Sequence, residues 1–579
     1  MRPDLVKGSR SQILARIVLI AAILFAARLF YLQIIRHDYY VAQAQQEQVK
    51  RERLPASRGE IYAMNGDSPV KLAMNETVYT VFVDPVAIKD ADKVISAMKD
   101  IAGGNVRDGF EELVKKEKSR YQVIAHRVTR AQADKIKDRK LYGVGFQAVS
   151  QRVYPEGRLA SQVLGFVNVE GTGNYGVEGY LNKRLAGVDG RLETVTDVSD
   201  VPLTIGGRNI REAAKDGDNI VLSIDRSVQG KVEDVIESHA KKLKTDQFSV
   251  VVMNPNDGKV MAMANYPDYD PARYYSVTDG SVFSNSAIAT TYEPGSTIKA
   301  FTMATAIDKN VARASDTFYN TDLIQVGDAK ISNASKGRTG TITFQTAMDW
   351  SLNTGFVTLG QRLGNGRNIT LQARETIHEY FHDRFRLGKA TGVELAAEAG
   401  GTIPAPNTSD GAEVRYANMT FGQGMTATAL QVAAGFCAVV NGGDYYTPTV
   451  VNGVVEGGVY KPNKAPTPEQ ANVVSESTSA QIRETTQKAR ASVFSRFDKP
   501  GYVIGGKTGT SQVAKAGGYS DSETIASYVG FGGAEKPEYV IMVSMYGEGK
   551  VLQGAQHAVP VFTEISNWML DYLKIQPKG

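Results

Sequence analysis

The distribution of apolar and polar positions divides the chain into three stretches of different character. From Ile13 to Ile35 the chain is apolar apart from Arg16, Arg28 and Gln33. As a helix, a run of that length spans a bilayer. Arg28 is a cost there, met by a long side chain that snorkels from near the outer end. Arg2, Lys7, Arg10 and Arg16 lie on the N-terminal side, which predicts a cytoplasmic N-terminus. A cleaved signal peptide is the other reading of such a segment. Leu24-Phe25-Ala26 is a poor cleavage match, and the apolar pattern runs on through Leu29-Phe30-Tyr31-Leu32, so a retained anchor is expected. Residues 1–12 are then a cytoplasmic tail and 13–35 a transmembrane anchor. Tyr39 to Arg53, rich in Gln, Ala and charge, is expected to extend the anchor helix outward.

From Leu54 to Asp216 short strand-like runs alternate with lysine-rich helical stretches, and Pro55, Gly59 and later glycines mark turns. No chemistry-bearing cluster stands out, so residues 36–215 read as a non-catalytic pedestal for partner contact. Ala213-Ala214-Lys215-Asp216-Gly217-Asp218 marks a boundary, with a second domain over 216–579. That domain shows strand-like runs at Phe248–Met253, Lys259–Ala264, Ile525–Phe531 and Tyr539–Met545, and helical runs at Ser296–Ile307, Thr428–Val440 and Ile565–Ile575. The expected fold is α+β, with an antiparallel sheet flanked by helices. At 579 residues the chain holds more than one core. A net charge of +4 without a long basic run disfavours nucleic-acid binding. The single cysteine, Cys437, lies in an apolar run and reads as a small buried hydrophobe; no intramolecular disulfide is possible.

Three short motifs carry the chemistry. Pro294-Gly295 precedes Ser296-Thr297-Ile298-Lys299; Ser351-Leu352-Asn353 follows; Lys507-Thr508-Gly509-Thr510 ends an apolar, glycine-rich strand. A serine hydroxyl is a poor nucleophile until a base takes its proton. Ser296 in the first turn of a helix has Lys299 on the same face one turn on. Burial and a second cation, for which Lys507 is a candidate, would lower the Lys299 pKa and make it a base. Ser351 is placed to relay a proton, and the Asn353 amide to hold a substrate amide through donor and acceptor. Lys507 and Thr510 suit a carboxylate, and Gly509, lacking a side chain, leaves room for a peptide against the strand edge. S-x-x-K, S-x-N and K-T-G-T in this order are the signatures of serine enzymes acting on penicillin and on peptidoglycan stem peptides.

With these motifs the chain resembles the class B penicillin-binding proteins, monofunctional peptidoglycan D,D-transpeptidases. Arg58-Gly59-Glu60-Ile61, Tyr154-Pro155-Glu156-Gly157-Arg158-Leu159-Ala160, Gly176-Val177-Glu178-Gly179, Leu222-Ser223-Ile224-Asp225 and Phe421-Gly422-Gln423-Gly424 are similar to further family landmarks. The resemblance implies a dimerisation-type pedestal, Ser296 as acylated nucleophile, Lys299 as general base and Ser351 as proton shuttle. It implies donor-peptide binding by Asn353, a proton network supported by Lys507, and substrate contacts at Thr508, Gly509 and Thr510. The backbone N–H groups of Ser296 and Thr510 would form the oxyanion hole. No cofactor or metal is implied. The implied partners are D-Ala-D-Ala stem peptides, β-lactams, the membrane, a membrane glycosyltransferase and other cell-wall synthesis proteins. Phe421–Gly424 and Gly517-Gly518-Tyr519-Ser520 look more like the division type than the elongation type. Two stretches depart from the family: Ala63-Met64-Asn65-Gly66 replaces an Asp-Arg-Asn-Gly turn, and Thr428-Ala429-Leu430-Gln431 replaces Thr-Pro-Leu-Gln.

Two other readings compete. His378-Glu379-Tyr380-Phe381-His382 matches the zinc-protease H-E-x-x-H pattern, with Glu394 or Glu398 as candidate third ligand. Its bland alternative is a helix ending before Arg386-Leu387-Gly388, with both histidines solvated or packed. A non-enzyme of the same fold, a β-lactam sensor or an inactive divisome scaffold, is the second. Only about 12 residues precede the anchor, which leaves a sensor little to signal through, and the intact catalytic set argues against a scaffold.

Overall fold

The computed structural model describes residues 10–40, 49–195, 210–515 and 518–578. They fall into two compact units, one running up to Ser57 and including Gly187–Gly217, the other comprising Arg58–Ala186 and Asp218–Gly579.

In the first unit a helix spans Arg10–Phe30 and continues as a π-helical turn, Tyr31–Ile35. Gln12–Ile35 is long and apolar enough to cross a membrane once, with a mean hydropathy of 2.4. The expected extension of this helix to Arg53 is not what forms. Residues 41–48 lie outside the described part, and Val49–Leu54 is a strand. It pairs antiparallel with Gly190–Val195, which pairs in turn with Ile210–Glu212. A partner about 140 residues away satisfies this backbone, and such pairing overrides a local helical composition.

In the second unit β1 (Ile61–Asn65) and β2 (Ser68–Val83) form a hairpin around Gly66, whose φ is +60°. The Asn65-Gly66 turn thus survives without the family's charges. α1 (Ala91–Ala102), β3 (Gln122–Thr129) and α2 (Arg130–Asp138) enclose a small core built on Val81, Met98, Phe110, Ile124 and Val128, and β4 (Val144–Val153) pairs with β2. Next come β5 (Asn219–Asp225), α3 (Arg226–Leu243), β6 (Gln247–Met253), β7 (Val260–Tyr266), α4 (Lys299–Asp308), the hairpin β8 (Leu323–Val326) and β9 (Ala329–Ser332), α5 (Asn353–Arg362) and α6 (Ala429–Val440). The chain ends with a hairpin of β10 (Val451–Glu456) and β11 (Val459–Pro462), α7 (Glu476–Phe494), three long strands β12 (Val503–Lys515), β13 (Gly518–Gly533) and β14 (Pro537–Tyr546), and α8 (Val559–Tyr572).

Two sheets organise these elements. One is antiparallel, in the order β7-β6-β14-β13-β12. Its strands obey the period of two: Phe248, Val250 and Val252 face a core shared with α3 and α8, while Val251 and Met253 face the larger core around α6. All of α6 is buried, Cys437 included, as expected for a helix apolar on every face. The Thr428 hydroxyl accepts from the Gln431 N–H and caps this helix. The Gln431 side chain donates to the carbonyls of Ala399 and Gly400, so the Thr-Ala-Leu-Gln variant keeps both cap and anchor. The other sheet runs β11-β10-β5-β1-β2-β3, with β4 on β2; β5 lies parallel to β1 and antiparallel to β10. A fully buried Glu178 pairs with Arg152 at 2.7 Å and Arg58 at 2.5 Å, and Arg152 also donates to Gly59 O at 2.8 Å. This network joins two of the sequence landmarks noted above and satisfies charges that would be costly unpaired.

Candidate active site

Gly295–Ile298 is a 3-10 turn rather than the start of the predicted α-helix, which begins at Lys299. The cause is the crowding around Gly295. Its φ is +58°, its N–H donates to Gly422 O at 3.0 Å, and a Cβ here would lie 2.9 Å from Thr510 O. A Cβ on Gly422 would lie 1.9 Å from Gly295 O. The serine turn is thus held between the Phe421–Gly424 loop and β12. Ser296 is half-buried, and its hydroxyl makes no hydrogen bond among the described residues.

One turn on, Lys299 is fully buried. Its amine donates to Ser351 O at 2.7 Å, Ser351 Oγ at 3.1 Å and Asn353 Oδ1 at 2.7 Å. Ser351 sits in the left-handed region at φ +55°, a conformation that costs a non-glycine residue energy and clusters at functional sites. Here it turns both carbonyl and hydroxyl toward Lys299. From the opposite wall Lys507 Nζ donates to the same Ser351 Oγ at 2.9 Å, and to Thr508 O and Oγ1 at 3.1 Å each. The three motifs therefore meet on one hydroxyl, held between two lysines. Asn353 opens α5, and its amide is engaged at both ends, by Lys299 and by Ser332 O at 3.0 Å.

The carrier of Lys507 is β12, the outer strand of its sheet. Thr510 is exposed and its hydroxyl accepts from Gly554 N–H at 3.0 Å; Thr508 is half-buried. Gly509 differs from expectation. A Cβ there would meet Ser527 Oγ at 2.2 Å, Pro294 O at 2.9 Å and Thr297 Cγ2 at 2.9 Å. Its missing side chain makes room for the serine turn to dock on the strand, rather than for a substrate.

Burial dominates the electrostatics. Loss of water, with the Lys507 cation as a second cause, holds Lys299 well below the ordinary lysine value. Burial also pushes Lys507 down, to about 7, while the Asp349 carboxylate acts the other way. Both shifts favour the neutral amine, the form in which a lysine can accept a proton, and Lys507 is partly charged near pH 7.

Residues 248–567 match the penicillin binding protein transpeptidase domain. The chain belongs to that family. Residues 53–222 match the penicillin-binding protein dimerisation domain. Stage V sporulation protein D of Bacillus subtilis is 32% identical over 96% of this chain and 85% of its own. The peptidoglycan D,D-transpeptidase FtsI of Escherichia coli is 27% identical over 98% and 92%. Among solved structures, penicillin binding protein 2X of Streptococcus thermophilus superposes with a TM-score of 0.74 at 23% identity, over 91% of this chain and 80% of that one. Penicillin binding protein 3 of Mycobacterium tuberculosis, complexed with aztreonam, gives 0.67 at 23% identity, over 91% and 98%.

The penicillin-binding transpeptidase domain contains neighbours of the serine that motif reading passed over. Glu293 accepts from Gly424 N–H at 2.7 Å and from Tyr519 OH at 3.0 Å, and burial raises its pKa. It ties the serine turn to the Phe421–Gly424 loop and to the β12–β13 hairpin. Its position directly before Pro294-Gly295 was the available signal. The H-E-x-x-H segment lies elsewhere and does not assemble as a protease. The α-helix gives way to a π-helical turn at Glu379–Arg384, and Glu379 is paired with Arg384 at 2.5 Å, so it is not free as a base. Glu394 accepts from Thr449 and Val450, and Glu398 from Thr391 and Gly392. Neither is a third ligand. His378, His382 and Asp383 do bring ligand atoms within 4.8 Å of one another, but Asp383 is also paired with Lys389 at 2.9 Å.

Proposed function

We propose that this chain is a serine D,D-transpeptidase that cross-links peptidoglycan stem peptides and is acylated by β-lactams. The observation that carries this is the Ser351 hydroxyl held between Lys299 and Lys507, with Ser296 in the turn that leads into Lys299 and its hydroxyl uncommitted among the described residues. Ser296 Oγ attacks the penultimate D-Ala carbonyl while neutral Lys299 takes its proton. The N–H groups of Ser296 and Thr510 stabilise the oxyanion. The proton passes through Ser351 to the departing D-Ala amine as the peptide bond breaks. An amine of a second stem then attacks the ester, gives up a proton by the same route, and releases Ser296. Lys507, Thr508 and Thr510 hold the terminal carboxylate. Asn353 holds the donor amide by exchanging its Ser332 contact for the substrate. Gly509 acts by letting the strand and the serine turn close together.

Residues 1–12 are assigned to the cytoplasm, 13–35 to the membrane, 36–215 to the pedestal and 216–579 to the transpeptidase region. The positive N-terminal flank supports an outward-facing catalytic domain. A division role, alongside a membrane glycosyltransferase, is supported by the Phe421–Gly424 stretch; Gly517 of the second stretch lies outside the described residues. Fluorescent penicillin should label the wild-type chain, and Ser296→Ala should abolish labelling without lowering Tm. Mapping of the adduct by mass to any other residue would reject the nucleophile. A penicilloyl adduct that hydrolyses within seconds, instead of persisting for minutes, would make the chain a β-lactamase.

A further inference from the structure

We propose that Arg338, stacked on Trp350, forms a subsite for a carboxylate carried by the donor peptide upstream of the scissile bond. The proposal rests on the transpeptidase reading. Trp350 immediately precedes Ser351, and 46% of it is exposed. The Arg338 guanidinium carbon lies 3.1 Å from the centre of the Trp350 ring, the flat packing that a delocalised cation favours on an indole.

The loop carrying Arg338 is built, not loose. Asp322 Oδ2 accepts from the N–H groups of Gly337 at 2.6 Å and Arg338 at 3.3 Å, and Asn320 Nδ2 donates to Arg338 O at 2.7 Å. Asn333 anchors the same loop to the catalytic wall, accepting from Thr354 N–H at 3.0 Å, and Ser332 O accepts from Asn353. The backbone at Arg338 is thus fixed to the residues that follow Ser351. Yet among the described residues its guanidinium has no carboxylate partner within ion-pair distance. The Asp322 carboxylate is occupied by backbone donors of the loop. A guanidinium held by its face keeps its edge donors free, and that edge matches a carboxylate bidentately. Lys507, Thr508 and Thr510 on the opposite wall are assigned the terminal carboxylate, so an acid bound at Arg338 belongs to another part of the substrate. Trp350 lies three residues before Asn353, to which the donor amide is assigned, and the acid is therefore assigned to the donor stem before its scissile bond.

Penicillins separate the two carboxylates, because their acylamino side chain stands where the upstream peptide would lie. The test compares benzylpenicillin with α-carboxybenzylpenicillin, which differs by one side-chain carboxylate, as second-order acylation rates of the full chain in detergent. Arg338→Ala should slow the carboxylated compound about tenfold relative to the plain one, Arg338→Lys should fall between, and Trp350→Leu should lower the same ratio. High salt should erode the wild-type ratio. An unchanged ratio in Arg338→Ala, whether both rates fall together or neither falls, would overturn the subsite. Failure of benzylpenicillin to acylate the wild type would instead refute the transpeptidase reading itself.

Discussion

Lys507 is 3% exposed, and the three bonds donated by its amine go to hydroxyls and a carbonyl rather than a carboxylate. That has a stability cost with a definite pH signature. The folded pKa, about 7, lies below the ordinary lysine value of 10.5. Between the two the unfolded chain binds more protons than the folded one, so stability rises with pH across that window and the penalty is complete below it. Lys299 acts with the same sign. Lys507→Met should therefore raise Tm by several degrees near pH 7, with an advantage that shrinks towards pH 10, while acylation is lost. Scanning calorimetry at the two pH values checks this, and an advantage that grows with pH would contradict it. The rate of wild-type acylation should rise with pH as Lys299 loses its proton. His378→Ala with His382→Ala should leave acylation intact, since that segment contributes nothing to the serine's surroundings; a chelator-sensitive acylation rate would show otherwise.

At the scale of elements, the serine turn works because two glycines let three segments approach one another. Gly422→Ala places a methyl 1.9 Å from Gly295 O at a position with φ +89°. It should destabilise the domain by more than about 1 kcal/mol and slow penicillin acylation at least about tenfold, because the turn must shift. Near-normal acylation kinetics in a folded variant would refute the clamp. What the sequence disclosed follows the same physics. β6, β7, β13, β14 and α6 were legible because each buries an apolar face or run that no loop would carry. The meeting of Lys299, Ser351 and Lys507 was legible because three spaced motifs name them jointly. The type of turn at Ser296 and the packing role of Gly509 were not, since both depend on partners far away in sequence, Gly422 and Pro294. The strand Val49–Leu54 was missed for the same reason: its partner is Gly190–Val195. Arg338 and Trp350 belong to no motif, and only folding brings them together.

For the whole molecule, orientation is the first test. An enzyme reporter fused after Arg53 should be active only outside the cytoplasm; activity inside would reverse the topology. The arrangement of the β11-β10-β5-β1-β2-β3 sheet bears on a different question, that of time. Ile61 of β1 registers with Ile220 of β5, and Ile220 in turn with Val454 of β10. β1 is therefore made 159 residues before its parallel neighbour (220 − 61), an interval of roughly 8–30 s at typical synthesis rates. Through that interval the hairpin of β1 and β2 presents an open edge, the feature that invites wrong pairing. β5 then waits again for β10. Stalled nascent chains ending near residue 200 should be protease-sensitive at Ile61–Asn65, and chains ending well beyond Glu456 should be resistant. The pedestal strands are thus made ahead of the transpeptidase region, yet their sheet is completed only by β5 and β10, which come much later in the chain.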